Sequence, residues 1–336
     1  MIYVRKYNCI TERKYNIMTT NTVTVRKTTR KNTSTIADAI GEHVINIANI
    51  GDMKTRDIKK YPIRDDEIRN AVEVYYDMQD VRVRTGNRKG AVQRDTIKKL
   101  KECGIDATPE THEVTPVYLE CMEFGFKNIE TLVTKFLKNY AENHPVGRWM
   151  LSITGVGPVI AAAMLAYIDI KKCKAAGSIW AYAGIDGPRK VRTAGKKITW
   201  NPKFRVVCWK LGQSFVKVSN RPNDVYGKLY REKKEWYEAK NAMGGFAEKA
   251  KKELELKNYG HDTVAYQWYS QGKLPPAHID AMARRFAVKM FLSHLFELWY
   301  EYENGCKPPK PFIEVHKGHV HIIPPPNREI LFPNDK

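Results

Sequence analysis

Two glycines that flank a single residue, Gly155 and Gly157, precede a proline and an uninterrupted run of small and aliphatic residues. Glycine tolerates a positive φ angle and lets a ligand approach the backbone closely. Pro158 suits the first position of a helix, and the alanine-rich run over residues 159–166 predicts a short buried helix. A glycine turn that leads into a helix leaves several amides unpaired at the positive end of the helix dipole. The segment therefore predicts an anion site, and a phosphate is the ligand that suits it best.

The order of residues in this segment, apolar-Gly-apolar-Gly followed by small residues, resembles the helix-hairpin-helix module of DNA repair and recombination proteins. That module holds the backbone phosphates of duplex DNA without reading bases, so the resemblance implies the same role here. The alternative is a glycine turn that only packs two core helices together, since short Gly-x-Gly matches arise by chance. The predicted DNA-binding residues of the turn are Gly155, Val156, Gly157 and Val159.

The net charge of the chain indicates the same class of partner. The 336 residues include 57 Lys and Arg against 37 Asp and Glu, which gives a formal net charge of +20. An excess of this size favours nucleic acid over an anionic membrane surface, and no apolar run approaches the roughly 18 residues needed to span a bilayer. The six cysteines lack C-x-x-C spacing, which indicates reduced thiols and neither a zinc cluster nor a disulfide framework. We therefore expect a cytoplasmic, nucleoid-associated protein.

Most of the excess positive charge lies in residues 188–234, which contain fourteen Lys and Arg against two acids, Asp224 and Glu232. A solvated helix face normally mixes both signs, so this segment predicts phosphate contact, primarily with duplex DNA. RNA is a partner compatible with the same charge. The interleaved aromatic residues could stack on bases, although at helical spacing they more often belong to a core. The predicted DNA-binding cations are Arg189, Lys190, Arg192, Lys196, Lys197, Lys203, Arg205 and Lys210.

Hydrophobic periodicity predicts a mainly α fold, a helical bundle that contains the helix-hairpin-helix module and ends in a small β-hairpin. The hairpin is expected at residues 312–324, where apolar residues alternate around Lys317 and Gly318. Its three histidines have only Glu314 nearby, so we predict no metal site there. A basic turn is expected at residues 82–90. Helices are predicted over residues 35–48, 65–83, from near 91, 116–124, 128–143 and 277–303.

These patterns divide the chain into five predicted segments. Residues 1–34 carry eight Lys and Arg against the single acid Glu12, and too little apolar surface to become ordered. This basic arm is either a solvated tail or a contact for DNA, and Met18 offers an alternative start. The segments are the arm (1–34), a helical N-terminal region (35–145), the helix-hairpin-helix domain (146–243), a helical C-terminal region (244–304) and a Pro-rich tail with the β-hairpin (305–336).

A longer comparison covers residues 151–219. These contain, in order, Ile153-Thr-Gly-Val-Gly-Pro, the alanine-rich helix, Tyr167-Ile-Asp-Ile and Ile179-Trp-Ala-Tyr-Ala-Gly-Ile, followed by Pro188, Gly195 and a basic helix. This order resembles the C-terminal domain of the DEDD insertion-sequence transposases, now called bridge-RNA-guided recombinases. The resemblance implies a role in transposition or recombination of a mobile element or a phage.

The sequence departs from that family at two points. Family members have a RuvC-like nuclease fold with four carboxylates before this domain, whereas the preceding residues here are predicted to be helical and lack a strand with a buried Asp. The family nucleophile is a serine just before the glycine that corresponds to Gly195, and Ala194 stands there. Thr193 lies one position away, and its hydroxyl could serve as a nucleophile in principle. The resemblance therefore implies the DNA-handling half of a transposase without its cutting apparatus.

Two alternatives remain. The chain could be an active transposase that uses Thr193 or the carboxylates of a partner, in which case Mg²⁺ would be needed; otherwise no cofactor is expected. It could also be an RNA-binding or nucleoprotein scaffold component, and a homo-oligomer is compatible with either. A helix-hairpin-helix DNA glycosylase is not favoured, because the segment expected to carry its catalytic Asp, residues 174–183, contains neither Asp nor His.

Overall fold

A computed structural model of the protein describes residues 58–108, 115–187, 194–309 and 323–333. These residues all lie within Ile47–Lys336, one of the two units into which the chain divides. The predicted basic arm, the helix at 35–48 and all but the last two residues of the predicted β-hairpin lie outside them. The described residues are mainly helical and contain no strand, which confirms the prediction of a mainly α fold.

The helices are numbered here in chain order. They are α1 (Ile68–Glu102), α2 (Val117–Asn143), α3 (Pro145–Ser152), α4 (Pro158–Tyr167), α5 (Ala176–Ala183), α6 (Pro202–Lys217), α7 (Tyr226–Ala242), α8 (Ala247–Leu256), α9 (Val264–Ser270) and α10 (Pro276–Asn304), with short 3₁₀ helices at Ile170–Lys172 and Arg328–Ile330. None of the helices in the described ranges is both long and apolar enough to cross a membrane.

Helix α1 continues through residues 82–90, so the prediction of a basic turn there was wrong. Arginine and lysine are good helix formers, and an interior glycine costs only about 1 kcal/mol relative to alanine. Packing against α2 offsets that cost: an added Cβ at Gly86 would lie 3.6 Å from Glu123 Oε1, and Lys89 Nζ is 3.1 Å from Glu123 Oε2. Helix α2 likewise continues through residues 125–127, where the sequence predicted a break between two helices.

One hydrophobic core contains residues from α1 to the C-terminal segment, with α10 contributing more buried side chains than any other described helix. The Trp149 and Phe291 rings stack at 5.8 Å between centroids, and Phe215 stacks on Tyr226 at 5.0 Å. The long helix predicted at 277–303 is confirmed as α10, which ends at Asn304 and is followed by Gly305 with a φ of 68°. The core therefore holds α3, α4 and α6 in fixed positions.

The C-terminal segment, residues 323–333, crosses α3 and α10 and is held by side-chain hydrogen bonds. Trp149 Nε1 donates to the Pro326 carbonyl at 2.7 Å, and Asn327 Nδ2 donates to Ser152 Oγ at 2.9 Å. Arg328 forms a two-point ion pair with Glu301 at 2.6 and 2.8 Å. Since Ser152 is the last residue of α3, this segment contacts the chain directly before the two glycines.

Candidate nucleic-acid interface

The two-glycine segment forms a turn between α3 and α4. Gly155 has a φ of 94°, in the region that favours glycine, whereas Gly157 is extended and precedes α4. Pro158 occupies the first helical position, as predicted, and the first hydrogen bond of α4 runs from Ala161 N to the Gly157 carbonyl at 3.0 Å. The short buried helix predicted at 159–166 is confirmed as α4.

Several amides of this turn have no hydrogen-bond partner within the described part of the chain. They belong to Gly155, Gly157, Val159 and Ile160, and the last two lie in the first turn of α4. The amide of Val156 differs, because it donates to the Ile153 carbonyl at 2.9 Å, and the Val156 side chain is buried. Of the predicted turn residues, Val156 therefore packs inward, while the other three have amides that remain able to donate to a ligand.

Gly155 and Gly157 differ in what surrounds them. A Cβ added at Gly155 would lie 3.1 Å from both Phe215 Cδ1 and Val218 Cγ2, and Ser214 Oγ donates to the Gly155 carbonyl at 2.6 Å. Nothing lies within 4 Å of a Cβ built at Gly157. Gly155 therefore packs on the C-terminal end of α6, and Gly157 lies on the side of the turn that no other described residue covers.

Two cations at the C-terminal end of α6 and just after it were absent from the predicted site residues. Lys217 and Arg221 are both exposed and flank Val218, which contacts the turn. Both residues belong to the basic stretch, so the sequence indicated that they could bind phosphate. Only the packing of Gly155 on α6 shows that the C-terminal end of this helix is the end next to the turn. The predicted cation Lys203 is eleven residues before Ser214, about 16 Å along the helix at 1.5 Å per residue.

Two of the predicted cations contact α1. Lys203 Nζ is 2.7 Å from Glu73 Oε2, and this pairing holds the pKa of Glu73 below its ordinary value. Lys210 Nζ is 2.7 Å from Gln79 Oε1 and 3.9 Å from the centroid of the Tyr76 ring. Burial lowers the pKa of Lys210. Both lysine side chains therefore connect α6 to α1.

The remaining predicted cations lie at the N-terminal end of α6 or before it. Lys196 and Lys197 are exposed, and the Arg205 guanidinium lies 5.7 Å from the centroid of the Trp200 ring. Arg189, Lys190, Arg192 and the candidate nucleophile Thr193 lie outside the described residues.

A cavity of about 530 Å³ lies beside the N-terminus of α6, with Tyr182, Trp200 and Lys203 in its lining. Asn201 caps the helix by accepting from Phe204 N at 3.0 Å. The chain enters the cavity lining at Ile198, three residues after Gly195, whose φ is 74°. No group of three or more His, Cys, Asp or Glu in the described ranges is placed to hold a metal ion.

The aromatic residues of the basic stretch mostly belong to the core. Phe204, Phe215, Tyr226 and Tyr230 are buried. Trp209 is an exception, with an exposed fraction of 59%, and Trp236, which lies just after the stretch, is 50% exposed. Base stacking in this stretch therefore has few candidates among the described residues.

The comparisons with known proteins identify one family. Residues 148–226 match the model of the Transposase IS116/IS110/IS902 family. The matched segment begins in α3, includes the glycine turn, α4, α5 and α6, and ends at the first residue of α7. A search of curated proteins and a search of solved structures found no match. Through this segment the chain is related to insertion-sequence transposases, as the sequence predicted.

Proposed function

We propose that this protein binds duplex DNA through its backbone phosphates, in the transposition or recombination of a mobile element or a phage. The observation that carries the proposal is the α3–α4 turn, in which unpaired amides stand beside the open side of Gly157. That turn lies within the segment that matches a transposase family. In this proposal α3, the turn and α4 act as a helix-hairpin-helix module.

The chemistry of the turn favours a phosphate over other anions of the cell. Amides at the N-terminus of α4 and the positive end of its dipole stabilise negative charge. Val218, which contacts the turn, lies between the exposed cations Lys217 and Arg221 in the sequence. Exposed Lys196 and Lys197 lie beyond the opposite end of α6. Duplex DNA carries one charge per about 1.7 Å of helix axis. A partner with that spacing can contact both ends of α6 at once, which a single small anion cannot do.

The proposal is tested by comparing Gly157→Glu with Gly125→Glu. Both variants add the same charge, and both glycines have open space around an added Cβ, but Gly125 lies inside α2. A carboxylate at Gly157 would repel the phosphate that the amides bind, so we expect the affinity for a short duplex to fall more than about tenfold, or about 1.4 kcal/mol. Gly125→Glu should stay within about twofold of the wild type. Equal losses in the two folded variants would contradict the proposal.

We propose further that the chain handles DNA without cutting it, because Ala194 stands where the related transposases have serine. The competing reading, an active recombinase that uses Thr193, predicts strand cleavage and a covalent protein–DNA adduct. Incubation with supercoiled DNA and Mg²⁺ separates the two. If the wild type does not nick the DNA, the binding role is supported. If it nicks the DNA and Thr193→Ala abolishes the nicking, the protein is an active recombinase that uses Thr193.

A further inference from the structure

A second group of cations lies on α7, α8 and α10, outside the glycine turn. Lys233, Trp236 and Lys240 follow one another at three- and four-residue steps on α7, so they share one face. Arg285 and Lys289 are four residues apart on α10, which packs against α7, and Lys249 projects from α8. We call these six residues the α7–α10 surface.

The lysines of this surface rest on aromatic rings. Lys233 Nζ lies 4.0 Å from the centroid of the Trp236 ring and 5.0 Å from that of Phe286. Lys240 Nζ lies 5.3 Å from the Trp236 centroid and 5.1 Å from that of Phe246. Such contacts stabilise an ammonium group while leaving its charge uncompensated.

Carboxylates are scarce around these ammonium groups. Within the described chain, no Asp or Glu oxygen lies within 4.0 Å of the Nζ atom of Lys233, Lys240, Lys249 or Lys289. The cations of the same helices just beside them behave differently, since Arg284 and Lys234 both pair with Asp280, at 2.7 and 3.9 Å. These four lysines therefore lack a close carboxylate in the described part of the chain, in contrast to Arg284 and Lys234 on the same helices.

The cations of the surface also repel one another. Burial lowers the pKa values of Lys233, Lys249 and Lys289. The positive charge of Lys240 lowers the pKa of Lys233 further, and that of Arg285 lowers the pKa values of Lys249 and Lys289 further. Glu253 raises the pKa of Lys249 and Asp186 raises that of Lys289, but both effects are smaller than those of burial and of Arg285. Half-buried cations that repel one another are typical of a surface that binds an anionic partner.

Trp236 indicates which anionic partner fits. Half of this side chain is exposed among the cations, and an exposed ring beside positive charge is how proteins hold unpaired bases. A duplex keeps its bases stacked inside the helix, so it offers this ring nothing to stack on. We propose that the α7–α10 surface binds an unpaired nucleic-acid strand, with a base on Trp236 and phosphates at Lys240, Lys249 and Lys289.

The test compares Trp236→Ala with Trp209→Ala, which removes a similarly exposed tryptophan from α6. Fluorescence anisotropy is measured with labelled oligo(dT), oligo(rU) and duplex DNA of about 20 nucleotides or base pairs, a length that exceeds one stacking site. Trp236→Ala should weaken binding of the preferred single strand about tenfold, since stacking contributes that much per base, and should leave duplex binding unchanged. Trp209→Ala should change neither. Preference for oligo(dT) or oligo(rU) identifies the source of the strand.

A second variant tests the phosphate contacts independently of the ring. Lys240→Gln should reduce the slope of log affinity against log salt for the single strand by about 0.7, the value for one phosphate, and Lys240→Arg should restore it. The proposal is overturned if Trp236→Ala and Trp209→Ala weaken single-strand binding equally, or if neither variant weakens it. It is also overturned if Trp236→Ala weakens duplex binding as much as single-strand binding. Because Gly157→Glu reports on the duplex and Trp236→Ala on the single strand, failure of one proposal is distinguishable from failure of the other.

Discussion

Gly155 and Gly157 are two residues apart and indistinguishable in the sequence pattern, but their surroundings differ. Gly155 needs a positive φ and contacts Phe215 and Val218, whereas Gly157 is extended with open space around it. The sequence predicted an anion-binding turn at this place because glycine, proline and alanine act locally. It could not assign separate roles to the two glycines, since those roles depend on α6, which begins 45 residues after Gly157.

The different surroundings predict different effects on stability. Gly155→Ala should lower the free energy of unfolding by about 2 kcal/mol, because a non-glycine residue at this φ costs about 1–2 kcal/mol and its Cβ would crowd Phe215. Gly157→Ala should change it by less than about 0.5 kcal/mol. Urea unfolding followed by circular dichroism measures both. A larger loss for Gly157→Ala than for Gly155→Ala would contradict the structure of the turn.

At the scale of elements, helices with clear local end signals were predicted well. Helix α4 begins at Pro158 and α10 ends before Gly305, and both boundaries agree closely with the sequence prediction. The turn predicted within α1 and the break predicted within α2 were wrong, because Gly86, Gly90 and Gly125 all lie inside continuous helices. Packing of the two helices against each other outweighs the local preference of glycine for a turn.

That comparison predicts a stabilising substitution in α1. Gly86→Ala places a methyl group in ordinary van der Waals contact with Glu123, without strain, and alanine favours the helix. We expect the free energy of unfolding to rise by about 0.5–1 kcal/mol, seen as a higher melting temperature. A lower melting temperature would mean that α1 bends or breaks at this position in solution.

At the scale of the molecule, the C-terminal segment joins α3 to α10 through contacts that no local pattern predicts. Arg328 and Glu301 are 22% and 12% exposed, so their ion pair is largely shielded from water, and Arg328→Ala leaves the carboxylate unpaired. We expect a loss of about 2–3 kcal/mol in the free energy of unfolding. The control Arg64→Ala removes exposed ion pairs with Asp66 and Glu67 and should cost less than about 0.5 kcal/mol. Similar losses would argue against the anchoring role of Arg328.

His294 adds a pH dependence to the same anchor. It is buried, its Nδ1 lies 2.8 Å from the Tyr226 hydroxyl and its Nε2 lies 2.9 Å from the Ile323 carbonyl. Burial lowers its pKa from 6.5 to about 4. The unfolded chain therefore binds a proton at a higher pH than the folded chain does, and stability is lost as pH falls from about 6.5 towards 4. Urea midpoints across this range should fall less steeply for His294→Leu than for the wild type, and equal slopes would contradict this assignment.

The proposal that a polyanionic duplex is bound through its phosphates is tested most directly by the salt dependence of duplex affinity. The affinity of the wild type for one duplex is measured by anisotropy from about 50 to 200 mM salt. We predict that log affinity falls linearly with log salt, with a slope of about 0.9 for each phosphate neutralised. An affinity that stays constant over this range would contradict the proposed function.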